Sequence, residues 1–181
     1  YGAVTKGLKG EELTEMGDLI ENGVCGFSDD GYTIMNAEVM RRALEYVRYF
    51  DSFISVHAID TNLQGNGYMN EGRISAINGL NGIPSESESV VIARDIMLAR
   101  LTKSRVHISH VSSKEAVDIV RWGKNEGISV TAEATPHHFT LTDENCLTYN
   151  TNYKMSPPLR EEEDIEAILQ GFKDGTIDCI S

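Results

Sequence analysis

Histidine and aspartate side chains stand at the ends of three apolar runs in this chain, and both residue types bind transition-metal ions. The candidates are Asp29, Asp30, His57, His107 and His110. Imidazole and carboxylate groups suit Zn²⁺ or Mn²⁺, and a carboxylate shared between two ions lets them activate one water together. The pattern predicts a metal site, provided that the three runs end at the same place.

Each of these residues also has an ordinary structural explanation. The "DDG" sequence at Asp29 and Asp30 is typical of an Asx turn. A single histidine such as His57 or His110 is more often a hydrogen-bonded core residue than a ligand. His107 is out of phase with His110 along its run, so we expect it to face the opposite side and to be structural. The metal hypothesis therefore depends on convergence.

Two later segments carry groups that could border such a site. His137 and His138 follow another β-branched run. Adjacent rings do not fit easily into one site, so we expect His137 at its rim, in a second layer around the metal, while the other ring supports the loop. Pro157 and Pro158 stiffen the segment before Arg160, which could hold backbone groups towards a substrate or be a plain loop before a helix.

Short β-branched runs alternate with amphipathic stretches along the chain. The predicted strands cover residues 2–5, 23–27, 53–57, 105–110, 128–133 and 176–181. The predicted helices cover residues 10–22, 36–49, 86–101, 113–125 and 162–173. Continuous apolar runs are typical of strands buried on both faces, so the pattern predicts an α/β fold with a parallel sheet. In a parallel barrel all strands end at one face, where the ligand candidates would meet.

Capping residues support several of these helices. Asn36 precedes the second helix, Ser85 stands three residues before Glu88, and Ser112 stands three residues before a glutamate. Gly127 closes the helix before the next strand. The Gly- and Asn-rich stretch 61–83 is too long for an ordinary loop, and we interpret it as an active-site excursion, with a surface insertion as the alternative.

Composition narrows the range of partners. The formal net charge of −12 disfavours nucleic acid and anionic lipid, which bind basic surfaces, and favours a small-molecule substrate. Cys25, Cys146 and Cys179 form no CxxC pair, which argues against a disulfide framework and a structural zinc site. No run approaches the ~20 apolar residues of a membrane helix, and the first residues lack a signal-peptide core. We expect a cytoplasmic protein.

Seven stretches together resemble the bacterial class I dihydroorotases of the amidohydrolase superfamily. They are "TKGLKGEEL", "FSDDG", "SVHAID", "HISHVSS", "AEATPHHF", "KMSPPLR" and the closing "DCIS". Each is weak alone, but together they run nearly from end to end of the chain and are specific.

The resemblance implies a distorted (β/α)₈ barrel with a zinc centre of one or two ions. It implies the reversible cyclisation of N-carbamoyl-L-aspartate to dihydroorotate in pyrimidine synthesis. Asp30 would be the carboxylate shared between the ions, 27 positions before His57 as in the class I enzymes, and His57 and His110 would bind the second ion. Ser156 stands where the family often has a substrate-binding asparagine.

The chain also departs from the family pattern. The family's HxHxR motif is absent because the chain begins after it, and the proton-shuttling aspartate is expected just beyond Ser181. A (β/α)₈ barrel takes ~250 residues, whereas this chain offers six strand candidates. We therefore expect residues 1–181 to be one partial barrel domain from the middle of a larger enzyme, inactive by itself.

Two alternatives stay open. A hydantoinase or allantoinase opens similar cyclic amides, but such enzymes normally have a carboxylated lysine at the position of Asp30. A non-catalytic dihydroorotase-like subunit that scaffolds aspartate transcarbamoylase would usually have lost its ligands, whereas His57 and His110 remain. The expected partners are accordingly a second copy of the chain or aspartate transcarbamoylase.

Overall fold

A five-stranded parallel sheet organises the chain in the computed structural model, which describes residues 1–181. Its strands, in spatial order, are β1 (Phe27–Ser28), β2 (Phe53–Val56), β5 (Arg105–Ile108), β6 (Val130–Ala134) and β7 (Cys179–Ile180). Every neighbouring pair is parallel. The spatial order follows the chain order, as in a barrel wall, and the predicted α/β class with a parallel sheet is confirmed.

Seven α-helices accompany the strands, and none of them combines the length and apolarity needed to cross a membrane. They are α1 (Met16–Glu21), α2 (Ala37–Tyr49), α3 (Thr61–Gln64), α4 (Arg73–Asn78), α5 (Glu86–Thr102), α6 (Lys114–Asn125) and α7 (Glu162–Asp174). The predicted bounds of α2, α5, α6 and α7 agree with these to within one residue.

One face of the sheet packs against the long helices and forms the core. Along β5, Val106 and Ile108 are fully buried beneath these helices, whereas His107 between them lies on the other face. Ile92 and Ile96 of α5 and Val117 of α6 belong to the same cluster of buried apolar side chains. This packing fixes where each strand ends, and therefore where the residues that follow it lie.

The side chains that cap the helix N-termini agree only in part with those predicted. The Asn36 side chain accepts hydrogen bonds from the first turn of α2, as expected. Ser113, not Ser112, caps α6, and its side chain accepts from the Ala116 amide. The Ser85 side chain makes no capping bond at α5. Both predicted serine–glutamate capping pairs are wrong, because Glu88 is buried and binds Ser112 instead.

The N-terminal prediction is also wrong in part. Residues 2–5 form only isolated bridges rather than a strand, because the amides of Val4 and Thr5 donate to the Asp29 carboxylate. The first helix is confined to Met16–Glu21. Thr14, which precedes it, is bound to the N-terminal segment instead, since its amide donates to the Val4 carbonyl and its hydroxyl donates to the Ala3 carbonyl.

The excursion at 61–83 is more regular than its composition indicates. It contains α3, α4 and a small parallel sheet of β3 (Met69–Asn70) and β4 (Gly82–Ile83). Met69, Asn70 and Ile83 are buried in it. The excursion is therefore a packed subdomain attached between β2 and α5.

Candidate metal centre

Three side chains that follow adjacent strands converge at one end of the sheet. Asp30 follows β1, His57 follows β2 and His110 follows β5. His57 Nδ1 and His110 Nε2 are 3.0 Å apart, and Asp30 Oδ1 lies 3.5 Å from the first and 3.3 Å from the second. The structure thus brings together the three residues that the sequence singled out as ligands.

The spacing of these donor atoms fits a metal ion. Two ligands at zinc-like bond lengths of ~2.0–2.1 Å around a tetrahedral ion lie about 3.3–3.4 Å apart. The three observed separations, 3.0, 3.3 and 3.5 Å, bracket that value. The His57 side chain is 6% exposed and that of Asp30 is 64% exposed, so the group opens on one side. Two imidazoles and a carboxylate on one face of a tetrahedron would leave a fourth position open.

Hydroxyl groups hold the first two side chains in place. The Asp30 amide donates to Ser28 Oγ at 3.0 Å, and Ser28 donates to the Ser55 carbonyl on β2. The Thr33 hydroxyl donates to the His57 carbonyl at 2.6 Å and accepts from the Ile59 amide. These bonds connect the loop after β1 to the end of β2, and they hold the backbone that carries both ligand candidates.

His110 has an uncommon backbone conformation. Its φ of +39° is positive, and such values are uncommon for residues other than glycine. The residues on either side are held firmly, because the Ser109 amide donates to the Val56 carbonyl and the Val111 amide donates to the Glu133 carbonyl. Strain held by its surroundings is concentrated at functional sites in proteins. The buried Nδ1 atom of His110 has no hydrogen-bond partner.

Electrostatics keep His57 in the form that binds cations. Burial, and then the nearby His110, lower the pKa of His57 to about 4, while Asp30 opposes this shift. His57 is therefore neutral at pH 7. A neutral imidazole can offer the lone pair of Nδ1 to an ion.

Asp29 has a structural role that the sequence did not reveal. Its buried carboxylate accepts from the Val4 amide at 2.7 Å, from the Thr5 amide at 3.1 Å and from the Thr5 hydroxyl. The Asx-turn interpretation is wrong for this residue, because these partners lie 24 and 25 positions earlier in the chain. Asp29 and Asp30 point in opposite directions, and only Asp30 reaches the two histidines.

The paired histidines at 137 and 138 form one hydrogen-bonded chain with Thr135. His138 Nε2 lies 2.9 Å from the Pro157 carbonyl, which can only accept, so His138 carries its proton there and accepts from Thr135 at Nδ1. Thr135 then accepts from His137 Nε2 at 2.8 Å. His138 therefore supports the loop at Pro157. His137 is half-buried, and its pKa is lowered by burial and then by the charge of His110. Its second-layer role around the metal stays a prediction.

We expect His138 to make the protein acid-sensitive. Burial lowers the pKa of His138 to about 3, below its usual value near 6.5, so the folded state favours the neutral ring. The resulting stability is complete above pH ~6.5 and is lost as the pH falls towards 3. Replacing His138 with glutamine should flatten the decline between pH 6.5 and 4 by roughly 3 kcal/mol. Urea denaturation across this range measures the slope, and an unchanged slope would contradict the assignment.

Arg160 does not face a substrate. It is 2% exposed and donates to Ser112, to Asn70 and to the Ile83 carbonyl. The hypothesis that its segment presents groups to a substrate therefore does not extend to Arg160 itself. Ser156 is exposed at the start of that segment, and its contact with substrate stays a prediction.

A second group of possible ligands comprises His107, Glu133 and Cys179 on the other face of the sheet. Both ring nitrogens of His107 already have partners, Thr131 Oγ1 at 2.8 Å and Glu133 Oε2 at 3.2 Å. The ring is thus satisfied within the sheet. All three cysteines of the chain are free thiols.

Solved structures support the fold. The L-hydantoinase (dihydropyrimidinase) of Arthrobacter aurescens matches the whole chain with a TM-score of 0.79, 20% sequence identity and coverage of 42% of its own length. A D-hydantoinase (dihydropyrimidinase) from a Thermus species matches with a TM-score of 0.78 and 18% identity over 100% of this chain and 41% of its own. These likenesses confirm the predicted barrel type, of which this chain holds a part.

Sequence relatives point to one family. A dihydroorotase of Caldicellulosiruptor saccharolyticus is 53% identical over 180 residues, and one of Caldanaerobacter subterraneus subsp. tengcongensis is 51% identical over the same length. Both alignments cover 99% of this chain and 42% of the relative, so the chain spans less than half the length of these proteins. The family model described as dihydro-orotase-like matches residues 1–116. The chain therefore belongs to the dihydroorotase-like family.

Proposed function

We propose that this protein is a metal-dependent dihydroorotase, which interconverts N-carbamoyl-L-aspartate and dihydroorotate in pyrimidine synthesis. The observation that carries the proposal is the convergence of Asp30, His57 and His110 at separations of 3.0–3.5 Å. This convergence occurs in a chain that is 53% identical to a dihydroorotase.

Asp30, His57 and His110 would hold the ion, and the two imidazoles with one carboxylate favour zinc. A divalent ion held there would polarise the carbonyl of the scissile amide and lower the pKa of a water. Asp30 keeps most of its carboxylate exposed, and this leaves room for it to be shared with a second ion.

The remaining roles belong to groups around the three ligands. His57 is buried and neutral, so it holds its position without competition from protons at neutral pH. His137, whose Nε2 proton is directed to Thr135, keeps Nδ1 as an acceptor in the second layer around the metal. Ser156 is proposed to contact the substrate from the exposed start of its segment. The proton-shuttling aspartate is expected beyond residue 181.

Two related functions are less well supported. Hydantoinase structures share the fold at 18–20% identity, but that level of similarity speaks for the fold alone. The aspartate at position 30 also argues against the carboxylated lysine of hydantoinases. A non-catalytic subunit that scaffolds aspartate transcarbamoylase has no need of a converged ligand set.

A substrate panel tests this proposal. We expect the complete protein to hydrolyse dihydroorotate in preference to hydantoin and allantoin. We expect hydrolysis to dominate at alkaline pH and cyclisation at lower pH, because ring closure consumes a proton. The absorbance of the ring amide of dihydroorotate measures both hydrolysis and cyclisation. Faster turnover of hydantoin or allantoin would overturn the proposal.

We expect a polypeptide of residues 1–181 alone to show no turnover. The resemblance places two further histidine ligands and the proton-shuttling aspartate outside these residues. Its affinity for zinc should also be lower than that of the complete protein, because fewer ligands reach the ions. Dihydroorotate turnover by the purified polypeptide would contradict this prediction.

The same proposal implies a cellular location and macromolecular partners for the enzyme. Pyrimidine synthesis and three free thiols favour a reducing cytoplasm. A second copy of the chain and aspartate transcarbamoylase are the proposed macromolecular partners. Size-exclusion chromatography with and without the transcarbamoylase tests both.

A further inference from the structure

A buried glutamate accepts hydrogen bonds from the segment that carries His110. Glu88, in the first turn of α5, is 1% exposed. Its Oε1 accepts from the Ser112 amide at 2.8 Å, and its Oε2 accepts from the Ser112 hydroxyl at 2.6 Å. Ser112 lies two residues after His110 and is completely buried. One carboxylate thus fixes both the backbone and the side chain of this serine.

The segment needs anchors because its backbone is strained. His110 has a φ of +39°, and such a conformation persists only where the surroundings enforce it. On the sheet side, the amides of Ser109 and Val111 are bound to carbonyls of β2 and β6. On the helix side, Glu88 supplies the anchor through Ser112. The direction of the His110 ring therefore depends on contacts on both sides.

Arg160 connects the same serine to two other segments. Its Nε donates to Ser112 Oγ at 3.2 Å, and its Nη1 donates to Asn70 Oδ1 and to the Ile83 carbonyl, both at 2.8 Å. Its Nη2 lies 3.9 Å from Glu88 Oε2 and has no hydrogen-bond partner. Ser112 is thus the junction between the His110 segment, the excursion at 61–83 and the segment after Ser156.

Stability alone does not explain this arrangement. Both charged side chains are 1% exposed, and a buried ion pair is often no more stabilising than apolar residues of the same volume. Three backbone segments from distant parts of the chain meet at this pair, and one of them presents a ligand candidate. Such an arrangement fixes the relative position of the segments, as outer partners of metal ligands do.

We propose that Glu88 is a positioning residue for His110, that it acts through Ser112, and that Arg160 locks this junction to the excursion. The inference rests on the proposed metal site, because it concerns how that site is held. It assigns Glu88 no contact with metal or substrate. Its consequence is that metal affinity depends on a hydroxyl that does not touch the ion.

The test compares two buried serines at the two ends of β5. Ser112→Ala removes the hydroxyl at the junction. Ser104→Ala is the matched control, because Ser104 is also buried and its hydroxyl donates to the Leu44 carbonyl at 2.7 Å, at the opposite end of the strand. Co²⁺ is the probe, because its visible absorption reports ligand geometry and its titration gives an affinity. Far-UV circular dichroism and a cooperative thermal transition check that each variant of the complete protein is folded.

We expect Ser112→Ala to weaken Co²⁺ binding about tenfold and to change the absorption bands, at the lower end of the effects known for outer partners of metal ligands. Ser104→Ala should change neither. Glu88→Gln should fall between Ser112→Ala and the wild type, because one amide oxygen can accept only one of the two Ser112 bonds well.

Every result of these experiments bears on either the positioning role or the metal site. Wild-type affinity and spectrum in Ser112→Ala, or equal losses in Ser104→Ala, would overturn the positioning role while leaving the metal site intact. Loss of the folded transition in both Ser112→Ala and Glu88→Gln would make the junction purely structural and would also overturn it. Absence of Co²⁺ and Zn²⁺ binding by the wild type would instead overturn the proposed function, and the inference with it.

Discussion

Replacing Asp30 with alanine is expected to remove the metal and to abolish turnover in the complete protein. Asp30 Oδ1 completes the triangle of donor atoms with His57 and His110. Loss of an outer partner of a metal ligand typically costs 10–100-fold in affinity or activity, so loss of a ligand should cost more than about 100-fold. Metal analysis after dialysis and a dihydroorotate assay measure the two effects.

The neighbouring aspartate provides the control. Asp29→Ala should retain the metal, but it should lower the free energy of unfolding by about 2–4 kcal/mol, because the buried amides of Val4 and Thr5 lose a charged acceptor. Urea denaturation measures that loss. If Asp29→Ala lost the metal while Asp30→Ala kept it, the ligand assignment would be wrong.

Replacing Gly82 with alanine is expected to cause a large loss of stability in the excursion. A Cβ atom at this position would lie 2.4 Å from the Cα atom and 2.6 Å from the Cβ atom of Glu71. Neither atom can move unless the β3–β4 pair opens. Opening it also displaces Ile83, whose carbonyl accepts from Arg160. We expect the free energy of unfolding to fall by about 3 kcal/mol.

A second glycine separates this steric effect from backbone strain. Gly79 has a φ of +63°, and a Cβ atom there would have no neighbour within 4 Å. Gly79→Ala should therefore cost only about 1–2 kcal/mol, the penalty for a left-handed conformation. Denaturant midpoints of the two variants give the comparison. A smaller loss for Gly82→Ala than for Gly79→Ala would show that β3 and β4 are not as close as the structure places them.

Patterns of apolar residues predicted the parts of the fold that depend on burial. The helices α2, α6 and α7 each present one apolar face to the sheet, and their bounds followed from that periodicity. The bounds of α5 were also predicted, although its buried side includes the charged residues Glu88 and Asp95. The strand predicted for residues 2–5 was wrong because the amides of this segment bind the Asp29 carboxylate, a partner more than 20 residues away. The regular structure of residues 61–83 was not predicted, because short strands with glycine and asparagine carry no periodic signal.

Strand ends predicted the site better than single residues did. One of the two aspartates, His57 and His110 could be grouped because each follows an apolar run and parallel strands end together. The choice of Asp30 over Asp29 came from the family resemblance. The serine–glutamate spacing at Glu88 indicated a helix cap, whereas the glutamate is buried against Ser112. Its position in the apolar stripe of α5 was the available signal. The positive φ of His110 could not be predicted, because this conformation is uncommon even for histidine, which adopts it more often than most residues do.

Anomalous diffraction at the zinc edge from crystals of the complete protein is the most direct test of the metal centre. We expect a peak within about 2.3 Å of His57 Nδ1, His110 Nε2 and one oxygen of Asp30. A second peak on the exposed side of Asp30 would add a second ion. Zinc bound elsewhere, with these three side chains still hydrogen-bonded only to one another, would contradict the assignment of the site.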